Sequence, residues 1–367
     1  MAKKGKHSQI YDFLKSAILD GTYANNGQLP TEMELGARFA VSRPTVARAL
    51  AALEKETMVE RIAGAGTFVR FEARGDKLAF GLLIPQLGQT EIFEPICGQI
   101  AQEALKRGHS LLWGSSTQAG DLSDRQVAEA VCRNYIEHQV RGVFFAPLEH
   151  AANRQETNQA IIEQLDRAGI RIVLLDRDYL TYPQRSRFDL VGIHNNRAGY
   201  VLAEHLIGLG AKRIEFCAVS DSAPTVFQRH LGCQDALRQA GLAQKPGNLC
   251  VGEPEDAAFV RGKLLKSKPD AIICANDATA ARLLRTLNGL GIRVPADLRV
   301  AAFDDVGYAK LLHPALTTIR QPCRDIGTAA MLTMLERLDN PNLQARDILL
   351  DFELVVRESC GAGTKRG

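Results

Sequence analysis

Two groups of side chains in this sequence have the types and placement to do chemistry. The first is Ser42, Arg43, Thr45 and Arg48 within the stretch VSRPTVARAL. Guanidinium forks match phosphate oxygens and the O6/N7 edge of guanine, so these residues can supply phosphate and base-edge contacts. The second group is spread over the chain: Asp176, Asn276, Asp277, Asp304 and Asp305 each close an apolar run, Arg229 opens a helical stretch after another, and Phe93 offers an aromatic ring. Carboxylates, an amide and an arginine that converge can hold neighbouring hydroxyls by paired hydrogen bonds, and an aromatic can cover the apolar face of a sugar ring. Within this group Asp277 is expected mainly as a helix cap. Asp304 and Asp305 are expected side by side on an extended segment, pointing to opposite faces, and so unable to flank one bond as a pair of glycosidase acids would.

The elements that must carry the first group lie within residues 1–70. Ile10, Phe13, Leu14, Ala17 and Ile18 recur with the spacing of an amphipathic helix that ends near Gly21. Thr31 and Glu34 form a capping box for a second helix with Leu35 and Phe39 inward. A break at Ala40 and Val41 leads to a third helix, with Ser42 as its cap and Pro44 in its first turn. Val46, Ala49, Leu50 and Leu53 share one face of it, and Arg48 projects roughly opposite, while Arg43 sits in the first turn, where a helix end meets a groove. VERIAGAGTFVR then reads as a hairpin turning through Gly64 and Gly66. Three helices and a hairpin make a winged helix-turn-helix, followed by a charged linker, FEARGDK, at residues 71–77.

From Leu78 to about residue 360 the texture is alternation. LAFGLLIP, SLLWGS, GVFFAP and RIVLLD, then DLVGIH, RIEFCAV, AIICAN and LRVAAFDD, are short apolar runs separated by amphipathic helical stretches. Such alternation means parallel sheets flanked by helices on both faces, and two series mean two lobes. Trp113, inside one of these runs, is expected in the core. Ligands of this architecture bind beyond the carboxyl ends of the strands, where the second group of residues falls.

Composition bounds the function. Hydrophobic residues make up 46% and charged residues 24% of the 367, an ordinary globular balance. No apolar run is long enough to cross a bilayer and no apolar leader opens the chain, so a cytoplasmic location and no membrane partner are expected. The eight cysteines lack C-x-x-C spacing and read as small buried hydrophobes; the histidines lack ligand spacing, so no metal is expected. No glycine loop of the dinucleotide or Walker type follows a strand, so no cofactor is expected. Residues 1–77 hold 12 Lys+Arg against 9 Asp+Glu, which leaves 33 against 33 in the rest and places the net charge of +3 in the N-terminal segment, a weak pointer to a polyanionic partner.

The segment GQLPTEMELGARFAVSRPTVARALAALEKETMVERIAGAGTFV resembles the GntR family of bacterial regulators in turn, helix and wing together. The resemblance implies operator-DNA contacts at Arg43, Thr45 and Gly66. Arg48 stands one residue beyond the family's usual arginine, which is Ala47 here, and Met33 replaces a basic residue often present, so a role for Arg48 rests on its helical position. Residues 78–360 resemble the sugar-sensing and dimerisation domain of the LacI/GalR family, similar to periplasmic sugar-binding proteins. The resemblance rests on VGIHNNRAGYVLAEHLIGLGAKRI, FQRHLGCQDAL, AIICANDATAARLL, LRVAAFDDVGYAKLLHPALTTIRQP and DIGTAAMLTML. It implies effector contacts at Asp176, Arg229, Asn276 and Asp304, and more loosely at Phe93 and Gln321. A GntR-type head on such a body is the arrangement of arabinose-repressor (AraR) type regulators, without a hinge helix of the lactose-repressor kind.

These readings imply a DNA-binding repressor of carbohydrate-utilisation genes, a homodimer on double-stranded operator DNA, released by a sugar or sugar derivative held between the lobes. The rival is a doubly wound sugar-processing enzyme, a kinase or dehydrogenase, with a regulatory head; it would need the phosphate-binding glycine loop that the sequence lacks. Arg43→Ala is expected to weaken operator binding in a gel-shift titration while leaving the melting temperature unchanged. Equal affinity of variant and parent would remove Arg43 from the contact set.

Overall fold

The computed structural model describes residues 6–19, 22–23, 27–56, 58–62, 65–70, 77–84, 92–114, 124–149, 154–242 and 248–362. The chain forms two compact units, residues 1–78 grouped with 102–110, and the remainder, although 102–110 belong by sequence to the end of the helix Phe93–Lys106 and the start of the strand Ser110–Trp113. Gly21, Gly64 and residues 71–76, the body of the expected linker and the place of any hinge helix, lie outside the described residues.

The first unit has helices α1 (Lys6–Leu19), α2 (Glu32–Phe39) and α3 (Arg43–Lys55), then strands β1 (Val59–Ile62) and β2 (Gly66–Val69). Ile10, Leu14 and Ile18 of α1 are buried against Leu35, Val46, Ala49, Leu50 and Leu53, with Phe13 and Phe39 at the margin of this core. The capping box is present: Thr31 Oγ1 accepts from Glu34 N at 3.2 Å, and Glu34 Oε2 accepts from Thr31 N at 2.8 Å. Ala40 leaves α2 in the left-handed region at φ 50°, which makes the tight turn into α3. Ser42 stands at the cap position of α3, but its hydroxyl caps no backbone amide; it pairs with Thr45 Oγ1 at 3.0 Å. The expected cap bond is thus replaced by a side-chain pair, and Pro44 in the first turn already removes one of the donors a cap would satisfy. In the antiparallel wing Val59 faces Val69, and Gly66 adopts φ +122°. A Cβ on Gly66 would stand 2.5 Å from Gln28 Nε2, the group that donates to Ala65 O at 2.9 Å.

The second unit begins with β3 (Ala79–Leu83), α4 (Phe93–Lys106), β4 (Ser110–Trp113), α5 (Asp124–Glu137), β5 (Gly142–Phe145), α6 (Arg154–Arg167), β6 (Arg171–Leu175) and β7 (Asp189–Ile193). Next come α7 (Asn195–Gly208), β8 (Ile214–Ala218), α8 (Pro224–Gln239), β9 (Leu249–Val251) and the short α9 (Ala257–Phe259), which runs into a π-helical turn over Val260–Leu264. The unit closes with β10 (Ala271–Cys274), α10 (Asp277–Gly289), β11 (Arg299–Asp304), β12 (Thr317–Arg320), α11 (Cys323–Asp339), β13 (Asp347–Leu350) and β14 (Glu353–Val355).

Two six-stranded sheets form the lobes, in the orders β13-β7-β6-β5-β3-β4 and β14-β12-β11-β10-β8-β9. Successive pairs from β3 to β5, β6, β7 and β13 are parallel, as are β9, β8, β10, β11 and β12; β14 joins antiparallel. The chain therefore passes between the lobes three times: from β7 into α7, from β12 into α11, which packs on β6, β7 and β13, and from β13 to β14. All eight expected strands form; helices α5, α9 and α11, the interior strand β12 and the edge strands β9, β13 and β14 were not expected. Trp113 is in its strand but 57% exposed, because β4 is the sheet edge, which corrects its expected burial. The eight cysteines are free, seven of them buried.

One contact sets the helix layer of the second lobe. An added Cβ at Gly199 of α7 would meet Arg229 O at 1.8 Å, and one at Gly232 of α8 would meet Asn196 O at 1.8 Å. The two backbones touch there, closer than any side chain permits. Gly199→Ala must push the helices apart and should cost about 1–3 kcal/mol or more, as overpacking does. A thermal melt of the variant within a degree of the parent would show that the crossing yields freely.

Candidate functional site

The facing ends of the two sheets build one cavity. It is lined by Phe93, Glu149, Asp176, Arg177, Arg229, Asn276 and Asp304, with Ile92, Val226, Val306 and Tyr308 among the other wall residues. Asp176 follows β6 with φ 67° and Asp304 ends β11 with φ 113°. Backbone of this kind costs of order 1–3 kcal/mol per residue and persists where the surroundings dictate it. Here each turn aims a carboxylate into the gap.

Arg177 and Arg229 are both buried. Arg177 donates from Nε to Pro147 O at 2.9 Å, from Nη1 to Asp176 Oδ2 at 2.9 Å and from Nη2 to Glu149 Oε1 at 3.2 Å, and its guanidinium lies 5.6 Å from the centroid of the buried Phe93 ring. Arg229 donates from Nε to Asn195 Oδ1 at 2.8 Å and from Nη1 to Ala275 O at 2.9 Å, pairs with Asp304 Oδ1 at 3.5 Å, and stacks 4.8 Å over Phe303. Burial raises the Asp304 carboxyl above its usual range, against the pull of Arg229 and the hydrogen bond from Gln321. Asp176 Oδ1 is different: it is buried and has no hydrogen-bond partner. An unsatisfied buried carboxylate oxygen is costly, and a donor brought by a ligand would relieve it.

Of the expected effector residues, Phe93, Asp176, Arg229, Asn276 and Asp304 line this cavity and Gln321 does not. Gln321 stands behind the wall and donates from Nε2 to Asp304 Oδ1 at 2.8 Å. Asp304 and Asp305 do part company, but not by extended alternation: Asp305 has φ 51° and pairs with Arg320 and Arg357, outside the cavity. Asp277 is not the helix cap either. Asn276 holds that position, its Oδ1 accepting from Thr279 N at 2.8 Å, while Asp277 is fully buried behind it. Three residues were missed. Glu149 and Arg177 lie four and two residues beyond the ends of β5 and β6, in FFAPLEH and LLDRD, which was the available signal. Asn195, in the HNN stretch, gave none, since its part is to orient Arg229. Glu149 also reaches the other lobe, where its Oε2 accepts from Ala223 N at 3.1 Å, and Arg154 makes a second bridge to Asp221 O at 2.7 Å.

In the first unit Ser42 and Arg43 are exposed at the start of α3 and Arg48 is exposed further along, with Thr45 half-buried between them. A groove between α2, α3 and the wing is lined by Thr31, Glu32, Met33, Arg43, Arg61, Gly66 and Thr67. Arg43 Nε donates to Glu32 Oε2 at 2.7 Å, and Arg61 of β1 pairs with Glu32 Oε1.

Residues 6–69 match the family described as bacterial regulatory proteins, gntR family, and residues 203–360 match the periplasmic binding protein-like domain. The chain joins a GntR-type DNA-binding head to a periplasmic-binding-protein-like body. Among similar proteins is the arabinose metabolism transcriptional repressor of Geobacillus stearothermophilus, 26% identical over 96% of this chain and 97% of its own length. The transcriptional repressor PurR of Photobacterium profundum is 30% identical over 48% of this chain and 54% of its own. Of solved structures, the transcription regulator GntR from Chromobacterium violaceum superposes with a TM-score of 0.60 at 26% identity, covering 77% of this chain and 99% of the other. This GntR-headed protein is a DNA-binding transcription regulator and not an enzyme.

In the periplasmic-binding-protein-like body, Asp277 makes a pH prediction. Its Oδ1 accepts from Thr318 Oγ1 at 2.7 Å and its Oδ2 from Val306 N at 3.0 Å. Burial, then the nearby Asp304, pushes its carboxyl up to about 8. The unfolded value is about 3.9. Between the two the folded chain binds the extra proton, so this group's contribution is full at low pH and is lost as pH rises towards about 8. Asp277→Asn can accept from Val306 N with its oxygen and donate to Thr318 Oγ1 with its amide nitrogen, and should flatten the decline of melting temperature between about pH 5 and 8. Parallel curves for variant and parent would show that Asp277 is already ionised in the fold.

Proposed function

We propose that this regulator is a homodimeric repressor of carbohydrate-utilisation genes that leaves its operator when a small, uncharged sugar binds between the lobes. Residues 1–70 form the DNA-binding domain, 71–77 the linker and 78–360 the effector and dimerisation domain, and the protein works in the cytoplasm. The observation that carries the reading is the orphaned Asp176 Oδ1 in a wall of Arg229, Asn276 and Asp304. Hydroxyl groups are the donors such a wall accepts, while Phe93 supplies an apolar surface. Among the described residues, no helix is long and apolar enough to cross a membrane.

The charge balance of the wall supports an unphosphorylated effector. The wall holds three carboxylates, Glu149, Asp176 and Asp304, against the two guanidiniums of Arg177 and Arg229, and both guanidiniums are already engaged by those carboxylates. A phosphate would have to break these pairs and then face the released acids. The cavity is about 100 Å³. Pockets for drug-sized ligands run to roughly 300–1,000 Å³, so a small ligand suits it. The full-length likeness to a repressor of arabinose metabolism supports a sugar of this size.

The sugar shifts the balance of two arrangements by binding the DNA-incompetent one more tightly. Glu149 is placed to pass this on, because it holds Arg177 on one lobe and the Ala223 amide on the other. A thermal-shift screen should find a neutral pentose or hexose that stabilises the protein, by about 2.7 kcal/mol at a hundred times its Kd. The same sugar should release operator DNA. Asp176→Asn should weaken its binding by roughly 10-fold or more, the value of a hydrogen bond to a charged group. Stabilisation by sugar phosphates alone, or by no sugar in the panel, would sink the reading.

A further inference from the structure

We propose that Glu32 is the positioning residue of the DNA-reading surface: it aims Arg43 of the recognition helix at a base edge and ties the wing to that helix. Glu32 is the first residue of α2, and its side chain is only 17% exposed although it faces the groove. Its two oxygens serve two elements. Oε2 accepts from Arg43 Nε on α3 at 2.7 Å, and Oε1 takes Arg61 on β1. One carboxylate thus sets the distance between the recognition helix and the wing strand.

The way Arg43 is held matters for reading a base. Its side chain is 83% exposed, and among the described residues only its Nε is engaged. The two terminal nitrogens remain available as a fork for the O6/N7 edge of guanine. A long arginine without such a strut samples many rotamers, and ordering it on DNA costs entropy that Glu32 offsets in advance. Glu32 itself is an anion on a surface meant for a polyanion. If it did nothing else, removing its charge would tighten binding to any duplex alike. Positioning therefore predicts a loss of sequence discrimination where simple repulsion predicts none.

The test uses the full chain, an operator duplex selected from a random pool by the wild-type protein, that duplex with each base pair changed in turn, and a scrambled duplex. Glu32→Gln should lower the ratio of operator to scrambled affinity by at least about 5-fold, the scale of one bidentate base contact, while scrambled binding stays equal or rises. The lost discrimination should fall at the same base pair that Arg43→Ala relaxes. The double variant should lose no more than Arg43→Ala alone, as expected for residues acting as one unit. Equal tightening on both duplexes would overturn the proposal in favour of repulsion. Loss at a different base pair would overturn it in favour of direct reading by Glu32, for example of a cytosine amino group. If Glu32→Gln melts below the assay temperature, Glu32→Asp, which keeps the charge but draws it back by one methylene, must give the same base-pair profile or the proposal fails. Should Arg43→Ala leave the operator ratio unchanged, the reading of Arg43 as a base contact fails separately.

Discussion

Burying charge is the constraint on which the sensing body depends. Two guanidiniums and three carboxylates meet at the facing ends of its sheets, and Arg177, Arg229 and Asp176 are each at least 94% buried. Such groups are tolerable only with close partners, and each partner fixes a piece of backbone. Arg177 ties the ends of β5 and β6 through Pro147, Glu149 and Asp176, and Arg229 ties α7, β10 and β11 through Asn195, Ala275 and Asp304. The glycine crossing of α7 and α8 follows from the same requirement. Without backbone contact at Gly199 and Gly232, Asn195 could not stand within 2.8 Å of the Arg229 guanidinium. The left-handed backbone at Asp176 and Asp304 is a further cost of the same arrangement, offset by the ion pairs it makes available.

The head obeys a looser version of this rule. Its charges are at the surface, where isolated ion pairs contribute little to stability. The Glu32 cluster is better understood as geometry than as stability, since it joins two elements that both face the groove. The core beneath, from Ile10 to Val69, holds the fold without it.

Much of this was legible in the residues. Alternating apolar runs and amphipathic stretches marked every interior strand of the two sheets except β12, because strands buried on both faces are near-continuously apolar and the polar run TTIR of β12 is not. Position after a strand marked Asp176, Asn276 and Asp304 as neighbours in space, since parallel sheets bring their carboxyl ends together. What escaped was of a different kind. Trp113 misled because an edge strand exposes residues that an interior strand buries. Ser42 and Asp277 misled because a residue type suited to capping was assigned to the task, while Pro44 and Asn276 had already met the need. Gln321 and Asn195 act on other side chains and not on the cavity, and relations between side chains distant in sequence leave no periodic trace.

The threefold passage of the chain between the lobes has a consequence for how such a molecule can be rebuilt. Each lobe is assembled from separated stretches of sequence, with the exchanges falling at 193–195, 320–323 and 350–353. No single cut or splice can remove one lobe and leave the other whole, so recombination can only inherit the sensor entire. The head is the reverse case, an uninterrupted segment whose core closes on itself between residues 10 and 69. The gene therefore has one natural seam, and what is grafted there changes the address on the DNA while the chemical signal stays the same.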